Sequence, residues 1–394
     1  VLPAPLVPRS DRFVLDERIG PDGAVLKPLG DAELDALCDR IIAEGFESVA
    51  VGMIHSYLND IHERWVRDAL LRKAPDLSVS ISAEVSPQMR GYQRFNTVCA
   101  NAFVKPLMAS YLNRLVGRLK EAGTHCPVFM IHSGGGIISV ESAIEFPVRL
   151  LESGPAGGVI FAADVATFYG IEQVVPYDMS GTTAKICLIE GQVPKTSKTF
   201  EVARTWRFKK RSGMPISIPV IEMVEIGAGG SSIASVDNMR QIRVGPHSAF
   251  GTWSGLLCPR RRQADGDGCR PAAGPARFPN LRRGKMKLDT DASAAALTRK
   301  LSERLGVDDI TAAFGIGEMV DENMSNAARM HAVENGKELG DFTMIAFGGA
   351  APLHASRLCE KLAIDTLLIP PGAGVESAIG FLRAPFGFES VRSA

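Results

Sequence analysis

An α/β fold with mixed sheets is predicted from three observations. Apolar runs of strand length alternate along the chain with segments whose apolar residues recur every three or four positions. Val174 and Val175 lead into the polar stretch Tyr177-Asp-Met-Ser-Gly-Thr-Thr-Ala-Lys185, and Ile186, Cys187, Leu188 and Ile189 lead out of it, the pattern of two strands joined by a tight turn. With 394 residues and 45% hydrophobic content, the chain is long and apolar enough for about two globular domains.

The elements follow in order. The first eleven residues, with three prolines, read as a linker or a cut edge. Asp31 is a good N-cap for an amphipathic helix over 31–44, with Leu34, Leu37, Ile41 and Ile42 on one face. A buried strand over 48–54 precedes a helix over 61–73, and 77–81 is again strand-like. A long helix is predicted over 96–122 from the spacing of Phe103, Leu107, Tyr111, Leu112, Leu115 and Leu119. Residues 128–131 form a strand that runs straight into a turn at Gly134. After the Tyr177–Lys185 hairpin the last third gives helices over 292–305, 315–335 and 352–361, and strands over 343–347 and 366–369.

Bulk numbers exclude several classes. Lys plus Arg and Asp plus Glu both total 44, which argues against nucleic acid or an anionic membrane as the main partner. No apolar run approaches the roughly 18–20 residues that span a bilayer, and no basic-then-apolar leader opens the chain. Seven scattered cysteines without a CxxC pair fit a reducing cytoplasm better than a disulfide framework.

Chemistry concentrates in glycine-rich turns. The Asp178–Lys185 turn offers backbone N–H groups and two hydroxyls to a phosphate oxygen, and the Asp178 carboxylate suits Mg²⁺ or a water aimed at phosphorus. Three more turns follow apolar runs: Ser133-Gly-Gly-Gly136, Gly227-Ala-Gly-Gly-Ser-Ser-Ile-Ala234 and Phe347-Gly-Gly-Ala-Ala-Pro-Leu-His354. In each the backbone can approach a ligand closely, and several converging on one cleft would hold a nucleotide. None has the spacing of a Walker loop or a dinucleotide fingerprint.

These stretches carry a resemblance. Together with His55-Ser-Tyr57, Ser153-Gly-Pro-Ala-Gly-Gly158 and Pro370-Pro-Gly-Ala-Gly374, the chain resembles the hydantoinase A/5-oxoprolinase family, which also contains ATP-dependent acetone and acetophenone carboxylase subunits. The resemblance runs from about residue 10 to the end. It implies an actin-like, ribonuclease H-like ATPase fold in which phosphate loops and an adenosine loop face one another. It divides the chain at 1–125, the end of the N-terminal region plus the long helix, and 126–394, the hydantoinase A core. Asp178, Gly181, Thr182 and Thr183 would form the second phosphate loop, Gly227, Gly229 and Gly230 a further cofactor turn, and Gly348 and Gly349 the adenosine side. Members normally open with a first phosphate loop and continue past Phe381-Leu-Arg-Ala-Pro385, so the fold is expected to be incomplete, truncated at both ends.

The implied reaction is ATP-dependent hydrolysis of a cyclic amide, 5-oxoproline or a hydantoin, with a B-type hydantoinase subunit as partner in an oligomer. ATP would phosphorylate the carbonyl oxygen; Thr182 and Thr183 would donate to phosphate and Asp178 would hold Mg²⁺. Lys185 could reach a phosphate oxygen or simply be solvated, and His55 and Tyr57 could line the substrate pocket or be structural. The runner-up within the family is a ketone carboxylase subunit; the contrasting class is a non-catalytic remnant, which the sequence favours for this particular chain. His354 reads as packing, Glu222 and Glu225 as exposed carboxylates beside a strand, one of which could bind a cation, and Met89-Arg90 with Tyr92-Gln-Arg94 as a helix-entry surface that could bind an anion. No Ser-His-Asp arrangement or zinc spacing is present.

Two features point to decay. Residues 250–283 are rich in Arg, Pro and Gly without helical or strand period. Permitted codons for 255–271, read one base later, give Ala-Cys-Tyr-Ala-Arg-Gly-Gly-Gly-Arg-Gln-Thr-Val-Thr-Asp-Ala-Asp, close to the family's text at this place, so the segment reads as out of frame. Cys258 and Cys269 are therefore not read as metal ligands. Ser180, Ser231, Ala351 and Glu376 also stand where members usually carry glycine, and a side chain there is expected to strain the turns by about 1–3 kcal/mol each.

Overall fold

A computed structural model describes residues 3–206, 211–248, 280–281, 286–287 and 290–387. Apart from Asn280 and Leu281, the segment read as out of frame lies outside the described residues. The chain forms two compact units, one built from 1–156, 196–221 and 384–394, the other from 157–195 and 222–383.

In the first unit α1 (Asp31–Ala43), β1 (Ser48–Val51), α2 (Ile61–Lys73) and β2 (Ser78–Ile81) form a crossover whose two strands pair in parallel. Their apolar faces meet in a core of Leu34, Cys38, Ile41, Val51, Val66, Leu70 and Ile81. The N-cap of α1 is Gly30, not Asp31; Asp31 instead places its charge in the first turn, where it favours the helix dipole. The long helix α3 (Gly91–Glu121) starts five residues before the predicted 96 and keeps Pro106 inside it. Its spacing gave the helix and part of the face: Leu112 is fully buried and Leu115 packs beside it, but Phe103, Leu107 and Tyr111 are exposed, whereas Arg94, Thr97, Val98 and Asn101 are buried. The hairpin β3 (Phe129–Ile131) and β4 (Ile137–Ser139) follows, with the Gly134 turn at its tip. The chain returns to this unit near its end, where Ile137 N–H donates to Pro385 O at 2.9 Å and Gly387 N–H to Ile137 O at 3.2 Å.

Helix α4 (Ser153–Tyr169) leads into the second unit and its seven-stranded mixed sheet. The strands are β5 (Gln173–Met179), β6 (Ala184–Cys187), β7 (Ile189–Glu190), β8 (Val193–Pro194), β9 (Met223–Ile226), β12 (Thr343–Phe347) and β13 (Leu367–Leu368), with β10 (Ser232–Val236) and β11 (Ile242–Ser248) forming a separate hairpin between β9 and β12. Strand β5 is central: it runs parallel to β12 on one side and antiparallel to β6 and β7 on the other. Burial on both faces explains its continuous apolar text, since Val174, Val175, Tyr177 and Met179 are all fully buried. Pro176 is tolerated in this central strand because β7 pairs with residues 173–174 and β6 with 177–179, leaving no antiparallel partner opposite it.

The helices of this unit after the hairpin are α5 (Thr290–Leu297), α6 (Asp309–Glu334), α7 (Ala351–Leu362) and α8 (Glu376–Arg383). The first three pack into one core with the sheet, whereas α8 approaches α4, where Gly380 meets Gly157. Helix α5 continues through a wider turn at Thr298–Ser302 to Leu305. Helix α6 begins six residues before the predicted 315, because Asp308 caps it by accepting the Thr311 N–H at 2.8 Å. The core of this unit runs from Val175, Tyr177 and Ile186 through Ile316, Val320 and Met324 to Leu358 and Leu362. Among the described residues no helix is long and apolar enough to cross a membrane.

Candidate functional site

Three of the four glycine turns meet in the second unit; the Ser133 turn belongs to the first. Strand β5 delivers Asp178 to its end, the chain reverses at Ser180–Thr183, and β6 places Lys185 directly opposite Asp178. The turn is closed by the Ser180 N–H and Oγ, which both donate to Thr183 O at 3.0 and 3.2 Å.

The Gly227 turn stacks on it, backbone to backbone. Gly230 N–H donates to Ser180 O at 3.1 Å and Ser231 N–H to Gly181 O at 2.7 Å. A Cβ on Gly229 would lie 2.6 Å from the carbonyl carbon of Thr182 and 2.7 Å from that of Gly181, so only glycine allows this approach. On the other side the Phe347 turn closes. Ala350 N–H donates to Met179 O at 3.0 Å, and Gly348, at φ +89°, sits so close that a Cβ would be 2.5 Å from Asp178 Oδ1. Gly348 N–H in turn donates to Ala373 O at 2.7 Å, tying in the Pro370–Gly374 stretch that leads to Glu376 at the start of α8. Gly349 differs: a Cβ there would meet nothing within 4 Å.

Electrostatics follow from this packing. Burial pushes the Asp178 carboxyl up to about 6, the neighbouring Glu376 carboxylate adds to the rise, and Lys185 opposes it. Lys185 is not the solvated strand lysine that its position suggested. Its side chain is mostly buried, and its Nζ lies 3.4 Å from Glu225 Oε1 on β9. Glu225 is an exposed carboxylate, as expected, and is the partner of that cation.

The strain expected at the four departures from glycine does not arise. Ser180, Ser231, Ala351 and Glu376 are all absent from the described residues with positive φ. Ser180 closes its own turn, Ser231 bonds to Gly181, and Ala351 and Glu376 each open a helix, a conformation that suits any L-residue.

His55 and Tyr57 lie in the first unit, half-buried. His55 has φ +61° and its Nδ1 is 2.9 Å from Ile19 O; the His55 and Tyr57 rings meet edge to face at 6.2 Å. Beneath Tyr57, at 5.3 Å from its ring, is the guanidinium of Arg94, which donates to Met53 O and, at 3.2 Å, to Gln88 O. Arg94 is buried, so the anion-binding surface envisaged at 89–94 loses its strongest cation to the interior. Glu63, also buried, accepts from Met53 N–H at 2.8 Å, Ser82 Oγ at 2.6 Å and Ala83 N–H at 2.9 Å.

Sequence reasoning missed Glu63 and placed Arg94 on a surface, though their spacing to buried neighbours could have put both inside. Glu63 stands three, six and seven residues before Val66, Ala69 and Leu70, and Arg94 three, four and seven before Thr97, Val98 and Asn101. It also missed two buried pairs: His62 Nδ1 with Glu17 Oε2 at 2.7 Å, and His354 Nδ1 with Asp321 Oδ1 at 2.5 Å.

Comparison with known proteins places this architecture. The Hydantoinase/oxoprolinase family model matches residues 94–389, and the Hydantoinase/oxoprolinase N-terminal region model matches residues 2–74. An uncharacterized protein of Methanocaldococcus jannaschii is 35% identical over 99% of this chain and 58% of its own length. The caprolactamase subunit alpha of Pseudomonas jessenii is 31% identical over 98% of this chain and 54% of its own. The nucleotide-free structure of an ATP-dependent acetone carboxylase superposes with a TM-score of 0.81 at 26% identity, covering 96% of this chain and 52% of that one. The chain thus spans about half the length of the relatives it matches. On the strength of the two family models and the relatives, the chain belongs to the hydantoinase/oxoprolinase family.

Proposed function

We propose that this chain is the nucleotide-handling part of an ATP-dependent enzyme that activates a carbonyl oxygen by phosphorylation, and that its reaction is hydrolysis of a cyclic amide such as 5-oxoproline or a hydantoin. One observation carries the reading: the turns at Ser180–Thr183, Gly227–Ser232 and Phe347–Ala350 close around Asp178 so tightly that Gly229 and Gly348 leave no room for a Cβ. Backbone brought this close is what a polyphosphate needs. The mixed sheet supports an actin-like, ribonuclease H-like fold for the unit.

A lactam or hydantoin carbonyl resists water because its nitrogen donates into it. Phosphorylating the oxygen makes the carbon electrophilic and creates a good leaving group. With ATP as co-substrate, the protein supplies position and charge compensation. The Thr182 and Thr183 hydroxyls donate to phosphate oxygens, the backbones of Gly181, Gly227, Gly229 and Gly230 wall the phosphates, and Gly348 and Gly349 face the adenosine. Lys185, across the ladder from Asp178, offsets negative charge. The donor set fits Mg²⁺, which is usually held by one or two carboxylates with substrate phosphates completing its shell; Asp178 would hold it and it would neutralise charge on the phosphates. His55 and Tyr57 are assigned to substrate, and a B-type subunit is assigned as partner in a cytoplasmic oligomer.

The likeness to the acetone carboxylase structure favours a second reading, ATP-dependent ketone carboxylation, which uses the same oxygen activation on an enolate. The test is phosphate release from ATP by the full chain with a B-type subunit, with 5-oxoproline, hydantoin, or acetone plus bicarbonate. Stimulation by a cyclic amide supports the hydrolase and stimulation by acetone plus bicarbonate the carboxylase. No turnover and no nucleotide binding would overturn both and leave a non-catalytic remnant.

A further inference from the structure

Among the described residues, the apolar core of the second unit contains an ionisable pair that the proposed chemistry does not use. Asp321 on α6 and His354 on α7 have side chains 4% and 2% exposed, and the imidazole Nδ1–H donates to Asp321 Oδ1 at 2.5 Å. Met324 and Ala328 on α6, and Ala351, Ala355 and Leu358 on α7, within two turns of the pair along each helix, are buried in the same core. Withdrawing two ionisable groups from water is expensive, and a well-packed apolar pair often serves stability as well. Such a pair is therefore a poor device for stability alone, and its position has another use.

The pair closes a circuit between the two sides of the candidate site. Met179, next to Asp178 at the end of β5, accepts the Ala350 N–H at 3.0 Å. Ala350 opens α7, and His354 lies one turn further along that helix. His354 donates to Asp321; one turn along α6, Met324 Sδ accepts the Tyr177 hydroxyl at 2.7 Å. Tyr177 stands two residues before Met179 on β5, and its hydroxyl also lies 3.1 Å from Met179 Sδ. The circuit runs β5, Phe347 turn, α7, α6 and back to β5. The His354–Asp321 and Tyr177–Met324 bonds are directional, unlike the apolar contacts around them, and they fix how far α7, and the turn at its head, can slide against β5.

We propose that Asp321 and His354 are positioning residues that hold the Phe347–Ala350 turn in register with the Ser180–Thr183 turn, and so set affinity for the nucleoside part of the ligand rather than for its phosphates. The inference rests on the nucleotide reading above, and one of its two measurements is independent of that reading.

The ligand-free measurement is hydrogen exchange by NMR at three amides: Ala350 (to Met179 O) and Gly348 (to Ala373 O) in the turn, and Met344 (to Thr366 O) in β12. The variants are His354→Leu, which fills the space without a donor, and His354→Asn, whose amide keeps a donor near the Nδ1 position. In His354→Leu, exchange at Ala350 and Gly348 should rise at least about tenfold while Met344 stays within about twofold, because the opening is local. His354→Asn should restore most of the protection. Should His354→Leu fail to fold, His354→Gln, which displaces the donor by one methylene, reads the same amides with the same expectation. Uniform acceleration at all three amides, or none, overturns the proposal. The second measurement compares binding of Mg-ADP with that of Mg-tripolyphosphate. His354→Leu should weaken ADP about tenfold and tripolyphosphate little, a difference of about 1.4 kcal/mol; equal weakening overturns the nucleoside-specific role. If the wild-type chain binds neither ligand, the nucleotide reading fails while the exchange data still decide whether the pair positions the turn.

Discussion

Gly348 and Gly349 are neighbours in sequence with opposite demands, and substituting each with alanine tests the packing of the site. At Gly348 the backbone is at φ +89°, and the added Cβ would lie 2.5 Å from Asp178 Oδ1, 2.6 Å from Met179 O and 3.0 Å from Met179 N. Left-handed backbone costs an alanine about 1–2 kcal/mol, and forcing a methyl into a filled site costs about 1–3 kcal/mol. Two of the three atoms are backbone, so relief by rotating a side chain is available only at Asp178. Gly348→Ala should therefore lose about 2–5 kcal/mol, which for a unit of this size lowers Tm by about 5–15 °C. At Gly349 φ is not positive and a Cβ meets nothing within 4 Å. Gly349→Ala should be between neutral and about 1 kcal/mol more stable, by restricting the unfolded chain. Calorimetric melting and urea titration of both variants supply the comparison. Equal destabilisation by the two, or a loss under about 1 kcal/mol for Gly348→Ala, would refute the close approach of the Phe347 turn to Asp178.

Three further outcomes follow from the same geometry. Asp178 has its folded carboxyl raised to about 6 from 3.8, so between these values the folded state holds more protons than the unfolded one and stability falls as pH rises from about 4 to about 6. Asp178→Asn should remove that slope, recover up to about 2–3 kcal/mol at pH 7 and abolish Mg-nucleotide binding, read by pH-dependent melting and calorimetric titration. An unchanged slope would show that Asp178 is not the buried titrating group. Lys185→Met removes the cation that opposes the rise at Asp178, so the Asp178 titration midpoint, followed by NMR of its carboxyl carbon, should move further up; a downward move would contradict the pairing across β5 and β6. Resequencing the encoding DNA should reveal an inserted or deleted base near the codon for Ala249 and a compensating one near that for Arg283. A clean frame would make the arginine-rich segment genuine.

Much of the second unit was legible because its signals are local. The strand at Thr343–Phe347 has the predicted bounds, and the Asp178–Lys185 hairpin is set by apolar text on both sides of a Gly-Thr-Thr turn. The helix over Ala351–Leu362 announces itself by periodicity, as does Ile61–Lys73 in the first unit. Periodicity failed where a helix buries polar residues. Helix α3 turns Phe103 and Leu107 outward and Arg94 and Asn101 inward, a choice made by tertiary hydrogen bonds that no single segment encodes. The capping of α1 by Gly30 and the widened turn at Thr298–Ser302 depend on backbone geometry rather than residue type. At the site, the glycine turns could be named from sequence, but the engagement of Lys185 by Glu225 and of His354 by Asp321 joins residues 40 and 33 positions apart. Only the assembled sheet and helices bring them together.

The central claim is that ATP activates the substrate's carbonyl oxygen, and the fate of that oxygen tests it most directly. A cyclic amide carrying a heavy-oxygen label only in its carbonyl would be turned over with ATP by the full chain and a B-type subunit, and the released phosphate examined by mass spectrometry. After phosphorylation water adds to the carbon, and the ring nitrogen leaves with a proton. A second water attacking the acyl carbon breaks its C–O bond to phosphate, so the label leaves in inorganic phosphate. Label found wholly in the carboxylate product, with none in phosphate, would contradict the account.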